Sequence, residues 1–215
     1  MNLTNGYMLK GLNVRVSKSP FPHWVIDDAF SASLVRAAET EWPSEDWVHW
    51  HLYDTHTSRK FATKDIERLP PASKLLFNSM CSIDLVELTG SDVFPDLSGY
   101  GAGLHWLPKH GYLERHLDSN THPLTGWTRK YSMCLYLHDV DGGGDLIFEN
   151  EDRSESVSIT PTANRLVIFE CTEDSYHGVP GVIQDARGRK SIACFFWSLK
   201  QETFSVRTSA QFDMD

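Results

Sequence analysis

The chain has 215 residues, which is enough for one domain with a sizeable hydrophobic core but short for two. Its net charge of -9 argues against a generally basic surface that binds nucleic-acid backbones, and its 40% hydrophobic residues exclude a disordered chain. No run reaches the roughly 18 apolar residues of a membrane span, and the first residues lack the apolar segment of a secretory signal. We therefore expect a cytoplasmic protein that does not contact a membrane.

Up to about residue 90 the sequence predicts a mixed region. An extended run over 23–26 precedes an amphipathic stretch over 32–42. Ser31 is a suitable N-cap for this first helix, and Pro43 ends it.

Two further helices are predicted before the sequence changes character. One begins near the Pro70-Pro71 pair and carries Leu75, Leu76 and Met80 on one face. The other is short and covers 83–88.

From Gly103 onward the pattern changes to short β-rich runs that glycine and proline residues separate. Many short strands preceded by helices are typical of a mainly β fold with flanking helices, here a double-stranded β-helix (a cupin-like jelly roll). We predict a single domain over 1–215, with a helical flank to about 100 and a jelly-roll core over about 101–200. The predicted strands are Tyr131–His138, Leu146–Phe148, Val157–Ile159, Arg165–Cys171 and Ser191–Leu199.

The cysteines are far apart in the sequence and form no Cys-x-x-Cys pair. This spacing does not indicate a zinc knuckle or a redox motif. Three of them lie in apolar runs, so we interpret them as reduced core residues without chemistry. The four are Cys81, Cys134, Cys171 and Cys194.

His116, Asp118 and His177 are candidate metal ligands. The first two are two residues apart, and on a strand that spacing directs both side chains to the same side. Two imidazoles and one carboxylate leave three positions open on Fe(II). By itself the pair is weak evidence, because roughly one His-x-Asp is expected by chance in such a composition. A solvated pair and a surface histidine remain the simpler interpretations at this level.

The sequence around these residues resembles the prolyl-4-hydroxylase-like branch of the 2-oxoglutarate/Fe(II) oxygenases. The resemblance runs from about residue 100 to 199 and keeps the order of the family's motifs. The matching segments are Gly103–His105, Gly111–Asp118, Arg129–His138, Gly143–Leu146, Pro161–Phe169, Tyr176–Gly178 and Arg189–Ile192.

The resemblance implies that His116, Asp118 and His177 bind Fe(II), and that 2-oxoglutarate and O₂ are co-substrates. It implies oxidative decarboxylation of 2-oxoglutarate to succinate and CO₂, coupled to hydroxylation of an aliphatic C–H bond. Halogenases of this broad type lack the metal-binding carboxylate, so Asp118 favours hydroxylation.

The family binds the far carboxylate of 2-oxoglutarate with a cation on the strand after the distal histidine. Arg189 occupies the corresponding position, and a guanidinium can bind a carboxylate through two parallel hydrogen bonds. Lys190 and Arg187 are the competing cations. The comparison assigns the Tyr136 hydroxyl to the same carboxylate, whereas a tyrosine packed in the core is the alternative.

The substrate is the least defined part of this interpretation. A prolyl or other peptidyl side chain is the leading substrate, with a free amino acid, a sugar or another small metabolite as the alternative. A non-catalytic, cupin-like metal-binding or ligand-binding module is the alternative of another class.

Aromatic and polar residues are expected around the mouth of the site. The predicted mouth consists of His105, Trp106, Trp127, Arg129 and the loop 119–128. The segment Trp47–Arg59 is either a substrate lid or a packed flank.

Overall fold

The computed structural model describes residues 13–181, 183–200 and 205–213. Within these ranges the helices are α1 (Ala32–Thr40), α2 (Pro71–Cys81) and α3 (Leu85–Thr89), with a 3₁₀ turn at Ile66–Arg68. The strands are β1 (Val14–Ser17), β2 (His23–Ile26), β3 (Trp50–Asp54), β4 (Ser58–Thr63), β5 (Phe94–Pro95), β6 (Gly103–Leu107), β7 (Tyr112–Leu117), β8 (Thr128–Tyr136), β9 (Leu146–Glu149), β10 (Ser156–Ile159), β11 (Leu166–Glu170), β12 (Tyr176–Val179), β13 (Arg189–Ser198) and β14 (Gln211–Phe212).

The strands form one curled antiparallel sheet. Neighbours follow the order β1-β2-β11-β8-β13-β6-β4-β7-β12-β9-β10, and β3, β5 and β14 attach to β4, β13 and β7. Strands far apart in the sequence are therefore hydrogen-bonded neighbours, as in a jelly roll. The predicted double-stranded β-helix is confirmed.

The central strands are buried on both faces. On β11, Leu166 and Ile168 belong to a hydrophobic cluster that includes residues of α1 and α2. Val167, between them, belongs to a second cluster, which joins residues of β6, β8 and β11 to residues of β9 and β12 across the interior of the curled sheet. Burial on both faces explains why these strands are continuously apolar in sequence.

The predicted strands over 131–138, 146–148, 157–159, 165–171 and 191–199 coincide with β8, β9, β10, β11 and β13. Their ends differ by up to three residues, because hydrogen bonding to neighbouring strands sets the ends. The extended run over 23–26 is β2.

The three predicted helices are present, but the prediction that Leu75 shares one face of α2 with Leu76 and Met80 is wrong. Leu76 and Met80 are buried on α2, whereas the side chain of Leu75 is 58% exposed. Consecutive residues of a helix point about 100° apart, so Leu75 lies off the buried stripe that Leu76 and Met80 share. None of the described helices is long and apolar enough to cross a membrane.

The first hundred residues contribute strands to the same sheet as well as helices. β2 pairs with β11, and β4 pairs with both β6 and β7. The hairpin formed by β3 and β4 was not predicted from the sequence. It extends the wall of the curled sheet beside the candidate site.

All four cysteines are free thiols, as expected. Cys171 and Cys194 are buried, and Cys81 and Cys134 are partly buried. Burial raises the pKa of the Cys171 thiol to about 12, so this side chain is a neutral core residue at physiological pH.

Candidate active site

The three candidate metal ligands lie side by side. His116 is near the end of β7, Asp118 follows that strand, and His177 lies in β12. Because β12 pairs antiparallel with β7, His177 is directly opposite His116. One potential ligand atom from each of the three residues lies within 4.8 Å of the other two. A single ion can therefore contact all three side chains.

A bulge and a glycine bring the two histidines face to face. The register between β12 and β7 shifts between His177 and Val179, which accommodates one extra residue of β7. At Gly178, a Cβ atom would lie 2.9 Å from the Leu113 carbonyl oxygen and 3.0 Å from the Arg115 backbone nitrogen. A larger residue at this position would push apart the strands that carry the histidines.

The hydrogen bonds of the histidines leave the same ring nitrogen free on each. His116 Nδ1 lies 2.8 Å from the Glu114 carbonyl oxygen, and His177 Nδ1 lies 3.0 Å from the Ser175 carbonyl oxygen. Carbonyl oxygens only accept, so Nδ1 carries the proton and each Nε2 presents a lone pair. These Nε2 atoms lie 3.7 and 3.8 Å from Asp118 Oδ1, too far for hydrogen bonds.

This donor set fits Fe(II), because two imidazoles and one carboxylate converge with no hydrogen bond between them. Burial, followed by the neighbouring His116, lowers the pKa of His177 to about 4. The imidazole of His177 is therefore neutral at physiological pH, as a metal ligand must be.

The second oxygen of Asp118 is held by protein groups. Ser132 Oγ donates a hydrogen bond of 2.8 Å to Oδ2, and Arg129 Nη1 lies 3.3 Å from the same atom. Burial alone would raise the pKa of Asp118, but the Arg129 guanidinium and the two histidines hold it well below its usual range. Arg129 is buried and stacks on Phe195, with 3.8 Å between guanidinium carbon and ring centroid. We had expected Arg129 at the mouth of the site. In the structure its contact orients Asp118 instead.

Arg189 and Tyr136 form a buried pair. Arg189 Nη2 donates a hydrogen bond of 2.9 Å to the Tyr136 hydroxyl, and both residues are at most 5% exposed. Burial raises the pKa of Tyr136, so the hydroxyl keeps its proton and can donate it. Within the described part of the chain, Arg189 Nε has no hydrogen-bond partner, and no carboxylate forms an ion pair with this guanidinium. A buried cation without a counter-ion is costly unless a ligand supplies the negative charge.

The two competing cations point elsewhere. Arg187 is half exposed and forms ion pairs with Asp185 and Glu39 at 2.8 and 3.3 Å. Lys190 lies opposite Trp106 in the sheet, and its ammonium group is 5.7 Å from the Trp42 ring on the helical side. The geometry therefore favours Arg189 as the pocket cation.

The β3–β4 hairpin combines the two alternatives considered for Trp47–Arg59. On one side Trp50 packs against Trp47 and Phe61, with ring centroids 5.1 and 5.9 Å apart. On the other side His51 and Tyr53 are exposed beside the candidate site. Trp106, expected at the mouth, lies on the packed side. Its ring stacks on that of Phe61 at 5.1 Å.

Sequence reasoning did not identify two residues near the site, Ser132 and Lys60. Ser132 could have been predicted from the sequence. It lies four residues from Tyr136 on one strand, and strand alternation directs both side chains to the same side. Lys60 carries no local signal, since its position follows from the pairing of β4 with distant strands.

Three comparisons relate the chain to known proteins. Residues 102–197 match the family model described as the 2OG-Fe(II) oxygenase superfamily, and no curated protein matches the chain. Solved structures of the same fold include a Pseudomonas putida prolyl-4-hydroxylase, with 20% identity, a TM-score of 0.58, and coverage of 81% of this chain and 90% of that one. A prolyl hydroxylase from Trichoplax adhaerens, in complex with a hypoxia inducible factor oxygen degradation domain peptide fragment, has 16% identity, a TM-score of 0.57, and coverage of 81% and 83%.

A third structure of this fold contains both a metal and the co-substrate. HygX from Streptomyces hygroscopicus, with nickel and 2-oxoglutarate bound, has 10% identity, a TM-score of 0.57, and coverage of 82% of this chain and 83% of that one. The family match includes the residues expected to bind the metal and 2-oxoglutarate, which are His116, Asp118, Tyr136, His177 and Arg189. Residues 102–197 therefore match the 2OG-Fe(II) oxygenase superfamily, whose members are dioxygenases that use Fe(II), 2-oxoglutarate and O₂.

Proposed function

We propose that His116, Asp118 and His177 are the Fe(II) ligands of this oxygenase, and that Arg189 and Tyr136 bind the far carboxylate of 2-oxoglutarate. The observation that carries this assignment is the convergence of two histidine Nε2 atoms and Asp118 Oδ1 on one point. A buried guanidinium in the interior of the same sheet, which has no carboxylate partner among the described residues, supports the second half of the proposal.

We further propose that the reaction is hydroxylation of an aliphatic C–H bond. Bound Fe(II) and 2-oxoglutarate supply the chemistry that activates O₂. The chain's own residues keep the ligands in place: Arg129 and Ser132 fix one oxygen of Asp118, so that the other faces the metal. The apolar interior around Tyr136 limits the access of water. The carboxylate of Asp118 favours hydroxylation over halogenation.

A prolyl or other peptidyl side chain is the proposed substrate class. Two of the solved structures with this fold are prolyl hydroxylases, one of them bound to a peptide fragment. The exposed side of the β3–β4 hairpin, with His51 and Tyr53, offers polar and aromatic contacts to an extended chain. A free amino acid, sugar or other small metabolite is the alternative. The family match favours either of these enzymes over a non-catalytic binding module.

Anaerobic titration with Fe(II) and 2-oxoglutarate tests the metal site. The wild-type protein should develop the visible metal-to-ligand charge-transfer band of the chelated co-substrate. His116→Ala should abolish this band, because two ligands from this chain do not hold the metal. His56→Ala is the matched control, since His56 is an exposed histidine and should leave the band unchanged.

A wild-type protein without the band, or an undiminished band in His116→Ala, would contradict the proposed site. The substrate class needs a separate measurement. Mixtures of proline-containing peptides and of small metabolites are incubated with the loaded enzyme and searched by mass spectrometry for the gain of one oxygen. Oxygen gain only among the metabolites would refute the peptidyl substrate while leaving the reaction class intact.

A further inference from the structure

Lys60 is a cation of the β3–β4 hairpin without an anionic partner. It lies on β4 and is half-buried, and its Nζ is 5.3 Å from the centroid of the Tyr53 ring. Among the described residues, Lys60 forms no ion pair and no hydrogen bond through its side chain. A lysine on an exposed surface needs no partner. The absence of one is therefore informative only if Lys60 points into the interior of the sheet.

The strand registers direct Lys60 into the curled sheet. Ser58 lies opposite Leu113, and Leu113 packs against the hydrophobic cluster of the sheet interior. Ala62 lies opposite His105. Alternate residues of a strand share a side, so Lys60, between Ser58 and Ala62, points to the interior that these partners line.

Two charged groups of the site have opposite effects on the pKa of Lys60. Burial lowers the pKa of Lys60, Asp118 raises it, and Arg189 lowers it again. His105 adds no charge of its own, because burial and then the nearby Lys60 lower its pKa to about 3. Lys60 is therefore close enough to feel both the metal-binding carboxylate and the cation of the co-substrate pocket.

We propose that Lys60 is a second cation for 2-oxoglutarate and binds the carboxylate beside the keto group, while Arg189 binds the far carboxylate. This inference rests on the proposed function of Arg189 and of the metal ligands. 2-Oxoglutarate is a dianion, and the proposed site requires it to extend from the metal ligands to Arg189. Lys60 points into the interior in which this length lies, because its neighbours on the same side of β4 pair with Leu113 and His105. Since Arg189 and Tyr136 already serve the far carboxylate, the near one is left for Lys60.

An ammonium group suits this role, because it is a compact charge with three donors that adapts to an oxygen already shared with a metal. The assignment also connects the hairpin to the co-substrate, since Tyr53 lies against Lys60 and is exposed on the side of the site. The same hairpin would then contact the co-substrate through Lys60 and the substrate through its exposed aromatic side chains.

The test compares two oxoacids in anaerobic charge-transfer titrations of the Fe(II)-loaded protein. 2-Oxoglutarate carries both carboxylates, whereas 2-oxobutanoate carries only the one beside the keto group. Lys60→Gln and Lys60→Met should weaken both oxoacids about 10- to 100-fold, as expected for the loss of a charged hydrogen bond. Lys60→Arg should restore part of the affinity. Fe(II) affinity, measured by competition with a chromophoric chelator, should stay within about twofold of wild type.

Lys64→Gln is the matched control, because Lys64 is an exposed lysine four residues further along the same segment. It should leave both titrations unchanged. Unchanged 2-oxoglutarate affinity in folded Lys60→Gln and Lys60→Met would overturn the proposal. Weakened 2-oxoglutarate with unchanged 2-oxobutanoate would overturn the assignment to the near carboxylate. If the wild-type protein itself gives no band with 2-oxoglutarate, the proposed function fails before Lys60 is tested.

Discussion

The interior of the curled sheet and the exposed side of the β3–β4 hairpin border the same site but hold their side chains differently. In the interior, His116 and His177 are each fixed by a backbone carbonyl, and Arg129 holds Asp118. On the hairpin, the exposed side chains have few partners. His51 stacks on Tyr53, with 4.3 Å between the ring centroids, and both remain open to solvent.

The difference separates two tasks of an oxygenase. Metal and co-substrate chemistry needs groups held within fractions of an ångström, which buried partners provide. Substrate recognition tolerates, and often uses, exposed side chains on a connecting segment supported by a rigid scaffold. In this chain the interior holds the groups proposed for the metal and the co-substrate, whereas the exposed side of the hairpin holds those proposed for the substrate.

The largest effect is expected where the hairpin is itself part of the core. Trp50 is 5% exposed, packs among aromatic rings and donates a hydrogen bond of 2.9 Å from its ring nitrogen to the Ser44 carbonyl oxygen. Trp50→Ala should lower the free energy of unfolding by about 3–5 kcal/mol, because it leaves a large cavity between the hairpin and the helices. Denaturant-induced unfolding followed by circular dichroism measures the change.

Leu52→Ala is the control on the same strand, since Leu52 is 51% exposed. It should change the free energy of unfolding by no more than about 0.5 kcal/mol. Leu52 lies on the same face of β3 as Trp50, so the two variants differ in burial, and equal losses would mean that the burial of Trp50 does not account for the stability of the hairpin.

The next largest effect is expected on 2-oxoglutarate binding, when a buried arginine of the interior is compared with an exposed arginine at its rim. Arg189→Gln should weaken 2-oxoglutarate binding about 100-fold, because the buried guanidinium supplies a charge-assisted pair of hydrogen bonds that an amide cannot replace. Arg187→Gln should leave the affinity within about twofold, since Arg187 is half exposed and already paired with Asp185. The anaerobic charge-transfer titration measures both variants.

A strong effect for Arg187 and none for Arg189 would mean that Arg187, in the segment before β13, is the cation that binds 2-oxoglutarate. Comparable losses in both variants would indicate a long-range field rather than direct contact, because the two guanidinium groups differ mainly in enclosure.

The proposed metal ligands and Arg189, the proposed pocket cation, could be suggested from the sequence because short motifs carry them. The spacing of His116 and Asp118 is local, and the resemblance supplied His177, which pairs with His116 only through contact between distant strands. Arg189 directly precedes an apolar run that is recognisable as a strand. In each of these cases the side chain's direction follows from alternation within one strand.

Lys60 and the β3–β4 hairpin could not be predicted in this way. The segment 50–63 is rich in polar and aromatic residues, and its strands form because β4 pairs with β6 and β7 rather than from local preference. Arg129 was placed at the mouth of the site. Its contact with Asp118 depends on the packing of distant segments, which its position in the sequence does not indicate. Leu75 was grouped on one helix face with Leu76 and Met80 because an apolar residue next to an apolar stripe is hard to separate from it by sequence.

The smallest effect is expected for an ion pair outside the interior of the curled sheet. It tests whether burial, rather than charge alone, distinguishes the groups of the interior. Asp27 accepts a hydrogen bond of 2.6 Å from Arg165 Nε, and this contact, together with Arg15, lowers the pKa of the Asp27 carboxyl. A lowered pKa in the folded state adds stability above the ordinary carboxyl pKa of about 4, and that stability is lost as the pH falls through the lowered value. Since Asp27 is one-third exposed, Asp27→Asn should cost only about 0.5–1 kcal/mol at neutral pH, with the difference from wild type vanishing in acid. Urea unfolding of both proteins across this pH range measures the difference, and a loss of several kcal/mol that persists in acid would show that this surface contact is not a simple ion pair.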